Sequence, residues 1–264
     1  MRFTLLLVLA GLAWSLQAQI VNPNKVRFGK FSDEEIELKT YALDPDAEAV
    51  ILFDEGKAWM DYDPTTNSFE LMIERHQRIK ILKSTGVDYA NFTFRLSNST
   101  SSSSKEEVIN IKGVTLNIEN GEEEETKLTK EGIFDESISD GLDQLTITFP
   151  QVKEGSIVDL KYTYKSDYVE YIPTWYFQRS IPTDYSHFEA VFPEYYFYSV
   201  DMKGFFNDRL LENTVAETGS RSLILSSGRN GNQQLDFGTR GYRWSAQEIP
   251  GLQSETFSPA ASNY

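Results

Sequence analysis

From Ala49 onward the apolar residues recur at every second position and almost nowhere at every third or fourth. Successive side chains of a strand point to opposite faces, so a period of two means strands with one buried face. Ala90, Phe92, Phe94 and Leu96 alternate with Asn91, Thr93 and Arg95. Leu145, Ile147 and Phe149 repeat the pattern, and Val158, Leu160, Tyr162 and Tyr164 resume it after turn residues at 150–155, which predicts a hairpin. Residues 69–82 read as one long strand. Met72, Glu74, His76, Arg78 and Lys80 share a face that reads as mostly wet, and Leu71, Ile73, Ile79 and Ile81 share the other. Further strands are expected near 185–192, 195–203, 209–216, 221–226 and 234–246. Many short strands with almost no helix predict an all-β fold, an antiparallel β-sandwich-like domain.

Local exceptions to the pattern carry their own information. Ile109 and Ile111 are odd-numbered, whereas Val114, Leu116 and Ile118 are even. One face cannot stay buried across that switch without an extra residue, so a β-bulge or bend is expected at Lys112-Gly113. Asn120-Gly121 fits a type I′ hairpin turn, and the four glutamates at 122–125 place its tip in water. Ahead of the strands, residues 20–30 look like a loose lead-in. Ser32 with Glu35 three residues later matches a capping box and predicts a short N-terminal helix to about Lys39, ended by Asp44-Pro45-Asp46. The serine-rich stretch 97–104 reads as a surface loop.

The first 18 residues read as a cleavable secretory signal peptide. Arg2 supplies the positive start and residues 3–12 the apolar run, with cleavage after Ala18 favoured over Ser15. The run is shorter than the roughly 20 residues that span a bilayer, so no integral membrane span is expected. Residues 19–46 form the lead-in with its helix. Residues 47–264 form the β-domain, with a possible division into sub-domains near 165–182, where Tyr and Pro crowd together. The chain has no cysteine, which fits an exported periplasmic or cell-surface protein of a Gram-negative-type bacterium better than a small disulfide-stapled module. A formal charge of −15 repels phosphate backbones and anionic lipid, so nucleic acid is not an expected partner.

Chemistry has few places to reside. Without thiols, neutral-pH proton transfer falls to His76 and His187. Ser186 and His187 are consecutive on a strand and cannot meet, and there is no Gly-x-Ser-x-Gly elbow, so no serine triad is expected. Two isolated histidines argue against zinc. Asp61-Tyr62-Asp63 begins like a calcium loop, but Thr66 stands where the turn glycine belongs. Acidic runs at 44–46 and 122–125 read as solvated. No catalytic residue, metal or cofactor is therefore assigned. Glu74, His76 and Arg78 form a candidate docking face. Trp175, Tyr176 and Phe177 are candidate aromatics for stacking on a peptide or glycan, with Tyr195, Tyr196, Phe197 and Tyr198 a second aromatic run.

Five strings point further: AEAVILFD at 47–54, IERHQRIKIL at 73–82, NIKGVTLNIENG at 110–121, FPQVKEGSIVDLKYTY at 149–164 and IPTWYFQRSIPTDYSHFEAVFPEY at 172–195. In order and spacing they resemble the N-terminal domain of unknown function of secreted bacterial transglutaminase-like proteins, over roughly residues 30–264. The resemblance implies an all-β domain that precedes a papain-like core, with the Cys-His-Asp triad in that core. Nothing here matches the core, and residues 258–264 fall about where such proteins cross into it, so the chain is either truncated or a free-standing accessory domain. The expected function is a non-catalytic exported β module that docks onto or positions a transglutaminase-like or peptidase partner, in cis or in trans. The alternatives are a carbohydrate- or peptide-binding module using an aromatic face, and a carboxylate-based hydrolase.

Overall fold

The computed structural model describes residues 20, 22–99, 104–203, 209–227 and 231–252. Residues 1–18, where a signal peptide is expected, residues 100–103 of the serine-rich loop and residues 258–264 lie outside them. Among the described residues no helix is long and apolar enough to cross a membrane.

The N-terminal helix forms as expected but is shorter. Helix α1 (Asp33–Glu37) opens on a complete capping box: Ser32 Oγ accepts the Glu35 N–H and Glu35 Oε2 accepts the Ser32 N–H. The strands then follow in chain order: β1 (Ala49–Asp63), β2 (Ser68–Ile81), β3 (Asn91–Ser97), β4 (Glu106–Glu119), β5 (Glu122–Lys127), β6 (Ile133–Ser139), β7 (Leu142–Thr148), β8 (Ile157–Ser166), β9 (Thr183–Pro193), β10 (Leu210–Ser227) and β11 (Gly231–Ile249). Eight make one large sheet in the order β10-β11-β9-β1-β2-β8-β4-β5, and three make a small sheet, β3-β7-β6. Every pairing is antiparallel except β1 with β9, so the large sheet is mixed. The β4–β5 turn has Asn120 and Gly121 at φ 52° and 85°, the left-handed pair that a type I′ turn requires.

Three local expectations change. The stretch 150–155 is not a hairpin turn. β7 pairs with β3 and β6, whereas β8 pairs with β2 and β4, so this stretch carries the chain from the small sheet to the large one. Phe149 drives the crossing by burying its ring in the inter-sheet core with Ile147, Val158 and Leu160. The bulge in β4 lies between Ile109 and Lys112, with Asn110 at φ 56°, just before the expected dipeptide. Gly113 serves a different end: a Cβ there would stand 2.7 Å from the Phe149 ring. Residues 195–203 are a turn and irregular chain, and 209–216 with 221–226 fuse into the single strand β10, whose register slips between Thr214 and Glu217.

The large sheet is covered on both faces. On one, the small sheet packs over β4 and β8, and the irregular crossover 167–182 packs over β1, β2 and β9. On the other, residues 22–46 lie across β1 and β2, burying Tyr41 with Val50, Leu52 and Phe53. The lead-in is therefore anchored, not loose. The chain leaves β2 for the small sheet through a 3₁₀ turn (Ser84–Ala90). There a Cβ on Gly86 would stand 2.3 Å from the Glu48 carbonyl oxygen, which already accepts the Leu82 and Lys83 N–H groups. That oxygen cannot retreat without losing both bonds. Gly86→Ala should therefore cost about 1–3 kcal/mol, read as a lower urea midpoint; an unchanged midpoint would mean the turn relaxes freely.

Candidate functional site

Two groups of buried charged side chains on β1, β2 and β8 lie on opposite faces of the large sheet. The first lies under residues 22–46. His76 Nε2 and Asp159 Oδ1 are 2.6 Å apart. Asp159 Oδ2 accepts Arg78 Nη2 at 2.8 Å and the Gly29 N–H at 2.8 Å. Arg78 Nη1 donates to both Glu35 oxygens at 2.8 and 3.1 Å, and Nη2 also donates to the Arg27 carbonyl. The Arg78 guanidinium lies over the Phe31 ring. Lys80 donates to the carbonyls of Ile36 and Gly155. Asp159 is 0% exposed and Arg78 is 1% exposed.

This geometry corrects the expected wet face. Glu74 does stay near water, paired with Lys161 at 2.9 Å. His76, Arg78 and Lys80, its neighbours on the same side of β2, are buried by the chain's own N-terminal segment. The docking face assigned to Glu74, His76 and Arg78 is thus largely occupied from within. Burial by itself would raise the Asp159 carboxyl, but the hydrogen bond from His76 and the charge of Arg78 outweigh it and hold the group below the usual range. Burial would likewise lower Arg78, and Asp159 and Glu35 reverse that, leaving it raised. Lys80 donates to two carbonyls and, among the described residues, forms no ion pair; burial outweighs the charge of Glu35 and pushes its ammonium down to about 8.

The second group lies on the opposite face. Asp54, 1% exposed, accepts Arg75 bidentately at 2.7 and 2.6 Å and Gln77 Nε2 at 3.1 Å. Arg75 sits 4.7 Å from the Trp175 ring centroid. Trp175 stacks on Phe188 at 4.9 Å and donates Nε1–H to Ser186 Oγ at 3.1 Å. It lies directly over Gly56, where a Cβ would approach the ring to 2.4 Å. Arg179 follows on the same crossover, over the Tyr176 ring, with Nε donating to the Tyr176 carbonyl. Between this group and the small sheet runs an open cleft of about 270 Å³, lined by Arg75, Gln77, Arg179 and residues 91–94.

Of the expected stacking aromatics, Trp175 is a packing residue between Arg75 and Phe188, Tyr176 supports Arg179, and Phe177 packs against the same core. In the second aromatic run Tyr196 and Tyr198 pack inward, and Phe197 is 79% exposed beside Arg240. Ser186 and His187 face opposite ways, with Ser186 committed to Trp175. The two most buried carboxylates, Asp54 and Asp159, lie on opposite faces of one sheet and cannot flank a common bond. Among the described residues no three His, Asp or Glu groups converge as a metal site. Sequence reading missed Asp54, Arg75, Gln77 and Arg179. A signal existed for two of them: Arg75 and Gln77 interrupt the apolar side of β2 between Ile73 and Ile79, and a charge there needs a buried partner.

A family profile described as a domain of unknown function with a solved structure, DUF3857, matches residues 68–252. No curated protein matches the chain. Among solved structures, a candidate protease from Parabacteroides distasonis aligns at 11% identity and TM-score 0.49, over 81% of this chain and 38% of that one. An M1 zinc metallopeptidase from Deinococcus radiodurans aligns at 10% identity and TM-score 0.29, over 80% and 45%. A candidate nutrient-binding protein from Legionella pneumophila aligns at 10% identity and TM-score 0.30, over 74% and 67%. The chain thus spans less than half the length of the first two. The family profile covers the parts of both polar groups that lie in β2 and beyond, leaving out Asp54, Gly56 and the contacts from residues 22–46, and by that match the chain belongs to the DUF3857 family.

Proposed function

We propose that this domain is a non-catalytic exported β module that docks onto, or positions, a transglutaminase-like or peptidase partner in cis or in trans. The observation that carries the reading is the commitment of His76. Its Nε2 is bound to Asp159 beneath the N-terminal segment, at 8% exposure, where it serves the fold and meets no substrate. His187 and Ser186 point to opposite faces of β9, and the Ser186 hydroxyl is itself engaged by Trp175. The resemblance of residues 30–264 to the leading domain of transglutaminase-like proteins supports the choice of partner, and the signal-like residues 1–18 support export.

The test has two arms. The mature protein incubated with a peptide panel should neither cleave nor crosslink beyond background, followed by mass spectrometry. It should co-elute at micromolar concentration with a transglutaminase-like core taken from a protein of the same architecture. Turnover that disappears in a His76→Ala or His187→Ala variant would overturn the non-catalytic reading, and separate elution would overturn docking.

A further inference from the structure

The cleft beside the small sheet carries one positive charge more than its own acids neutralise. Arg75 and Arg179 both line it, and the single carboxylate in the group, Asp54, has both oxygens engaged by Arg75 and one shared with Gln77. Among the described residues no carboxylate pairs with Arg179. Its Nε is spent on the Tyr176 carbonyl and its plane rests on the Tyr176 ring, which leaves both Nη groups as donors. Burial and then repulsion from Arg75 press its pKa down to about 10, so the guanidinium remains charged at neutral pH. Asp54 is thus the one carboxylate shared by two guanidiniums, and the surplus positive charge, in a chain of net charge −15, is placed for an anion from outside.

The facing wall says what form the anion takes. Four consecutive residues, 91–94, line the cleft. The alternating side chains of a strand cannot all point one way, so it is the edge of β3 that faces the space. Among the described residues β3 is paired on one side only, with β7. The Asn98 N–H bonds to the Gly141 carbonyl, and the register runs unbroken from there, so Phe92, Phe94 and Leu96 exchange bonds with β7. Thr93 and Arg95 therefore turn their N–H and C=O outward. The ends of this edge are closed: the Asn91 N–H goes to the Asp88 carbonyl and the Ser97 N–H to Glu106 at 2.7 Å. The open window is centred on Thr93, across the cleft from Arg179.

We propose that an extended acidic peptide segment adds to β3 as a fourth strand of the small sheet, seating one Asp or Glu side chain on Arg179. A cleft of about 270 Å³ sits just under the ~300–1,000 Å³ of ligand pockets, which suits one side chain with its backbone. Main-chain bonds to the edge hold the segment, and the arginine reads its charge. This rests on the docking reading above and names the chemistry by which the partner would be held.

The experiment uses the mature chain and two fluorophore-labelled, end-capped hexapeptides of β-prone sequence, one with a central Glu and its Gln twin. The Glu peptide should bind about tenfold more tightly by anisotropy, the factor of one charge-assisted hydrogen bond. Arg179→Gln should erase that preference and Arg179→Lys should keep part of it. Thr93→Pro, which removes an outward N–H at a position where an edge strand tolerates proline, should weaken both peptides about tenfold or more. Circular dichroism checks that each variant is folded. Equal binding of the twins, a preference that survives Arg179→Gln, or no binding at millimolar peptide would overturn the proposal. Binding of glutarate that ignores Thr93→Pro, with neither peptide bound, would make the cleft a small-anion site and overturn strand addition. A partner core that co-elutes equally with Arg179→Gln protein would leave docking intact and remove the cleft from it. Cleavage of a bound peptide would overturn the non-catalytic reading and leave the cleft standing.

Discussion

Arg78→Ala should lower the unfolding free energy by about 3–5 kcal/mol and the melting temperature by on the order of 10 °C. The guanidinium is 1% exposed and bridges Glu35, from the N-terminal segment, to Asp159, from β8. Its removal leaves two carboxylates buried with too few donors, and an unpaired buried charge costs more than the pair was worth. Two further consequences separate this from a generic core defect. Arg78's own contacts to residues 22–46 run through Glu35 and the Arg27 carbonyl, so limited proteolysis should cut that segment first. The acid limit should also move. With its folded pKa depressed, Asp159 contributes stability that is complete above the unfolded value of about 3.9 and is lost as pH falls through the lower, folded one. Without Arg78 the burial that raises the carboxyl is less opposed, so acid unfolding should begin at higher pH. A urea midpoint and acid midpoint both equal to wild type would show that the cluster contributes nothing net.

Trp175→Ala should cost about 2–4 kcal/mol, below the fully buried case because the ring is only half-buried. The indole joins the 167–182 crossover to the large sheet through three contacts at once: the stack on Phe188, the Nε1–H bond to Ser186 and the Arg75 guanidinium over its face. Its seat exists because residue 56 is glycine. Gly56→Ala should reproduce much of the loss with the tryptophan still present, since the new methyl carbon would meet the ring at 2.4 Å. Near-ultraviolet circular dichroism should fall in both variants while the far-ultraviolet signal holds. Trp175→Phe, which keeps a stacked ring without the donor, should lose only about 1 kcal/mol. If Trp175→Ala melts like wild type and instead abolishes sugar or peptide binding, the ring is a ligand platform and its packing role is refuted.

The two variants mark where the sequence is legible and where it is not. Arg75 and Gln77 are visible as anomalies, polar positions on the apolar side of β2, although Asp54 and Trp175 as their partners are not. Arg78 is not an anomaly at all. On an alternating strand it reads as an ordinary exposed residue, and only Glu35, 43 positions earlier, and Asp159, 81 positions later, bury it. The hairpin expected at 150–155 fails for a related reason. Alternation reports that a strand has two unlike faces, and both β7 and β8 do, but it carries no label for the sheet to which each belongs.

Most of the strands, the alternation along them, the capped start of α1 and the Asn120-Gly121 turn are legible in the residues alone. Each follows from interactions within a few residues: the reversal of side chains along a strand, one hydroxyl against one N–H, two residues with left-handed φ. The tertiary structure alone decided which strands share a sheet, which charges are sealed beneath the N-terminal segment, and that Arg179 faces the open edge of β3. Those depend on partners far apart in the chain, and a charged side chain is compatible with water or with a buried counter-ion until the fold brings one of them to it.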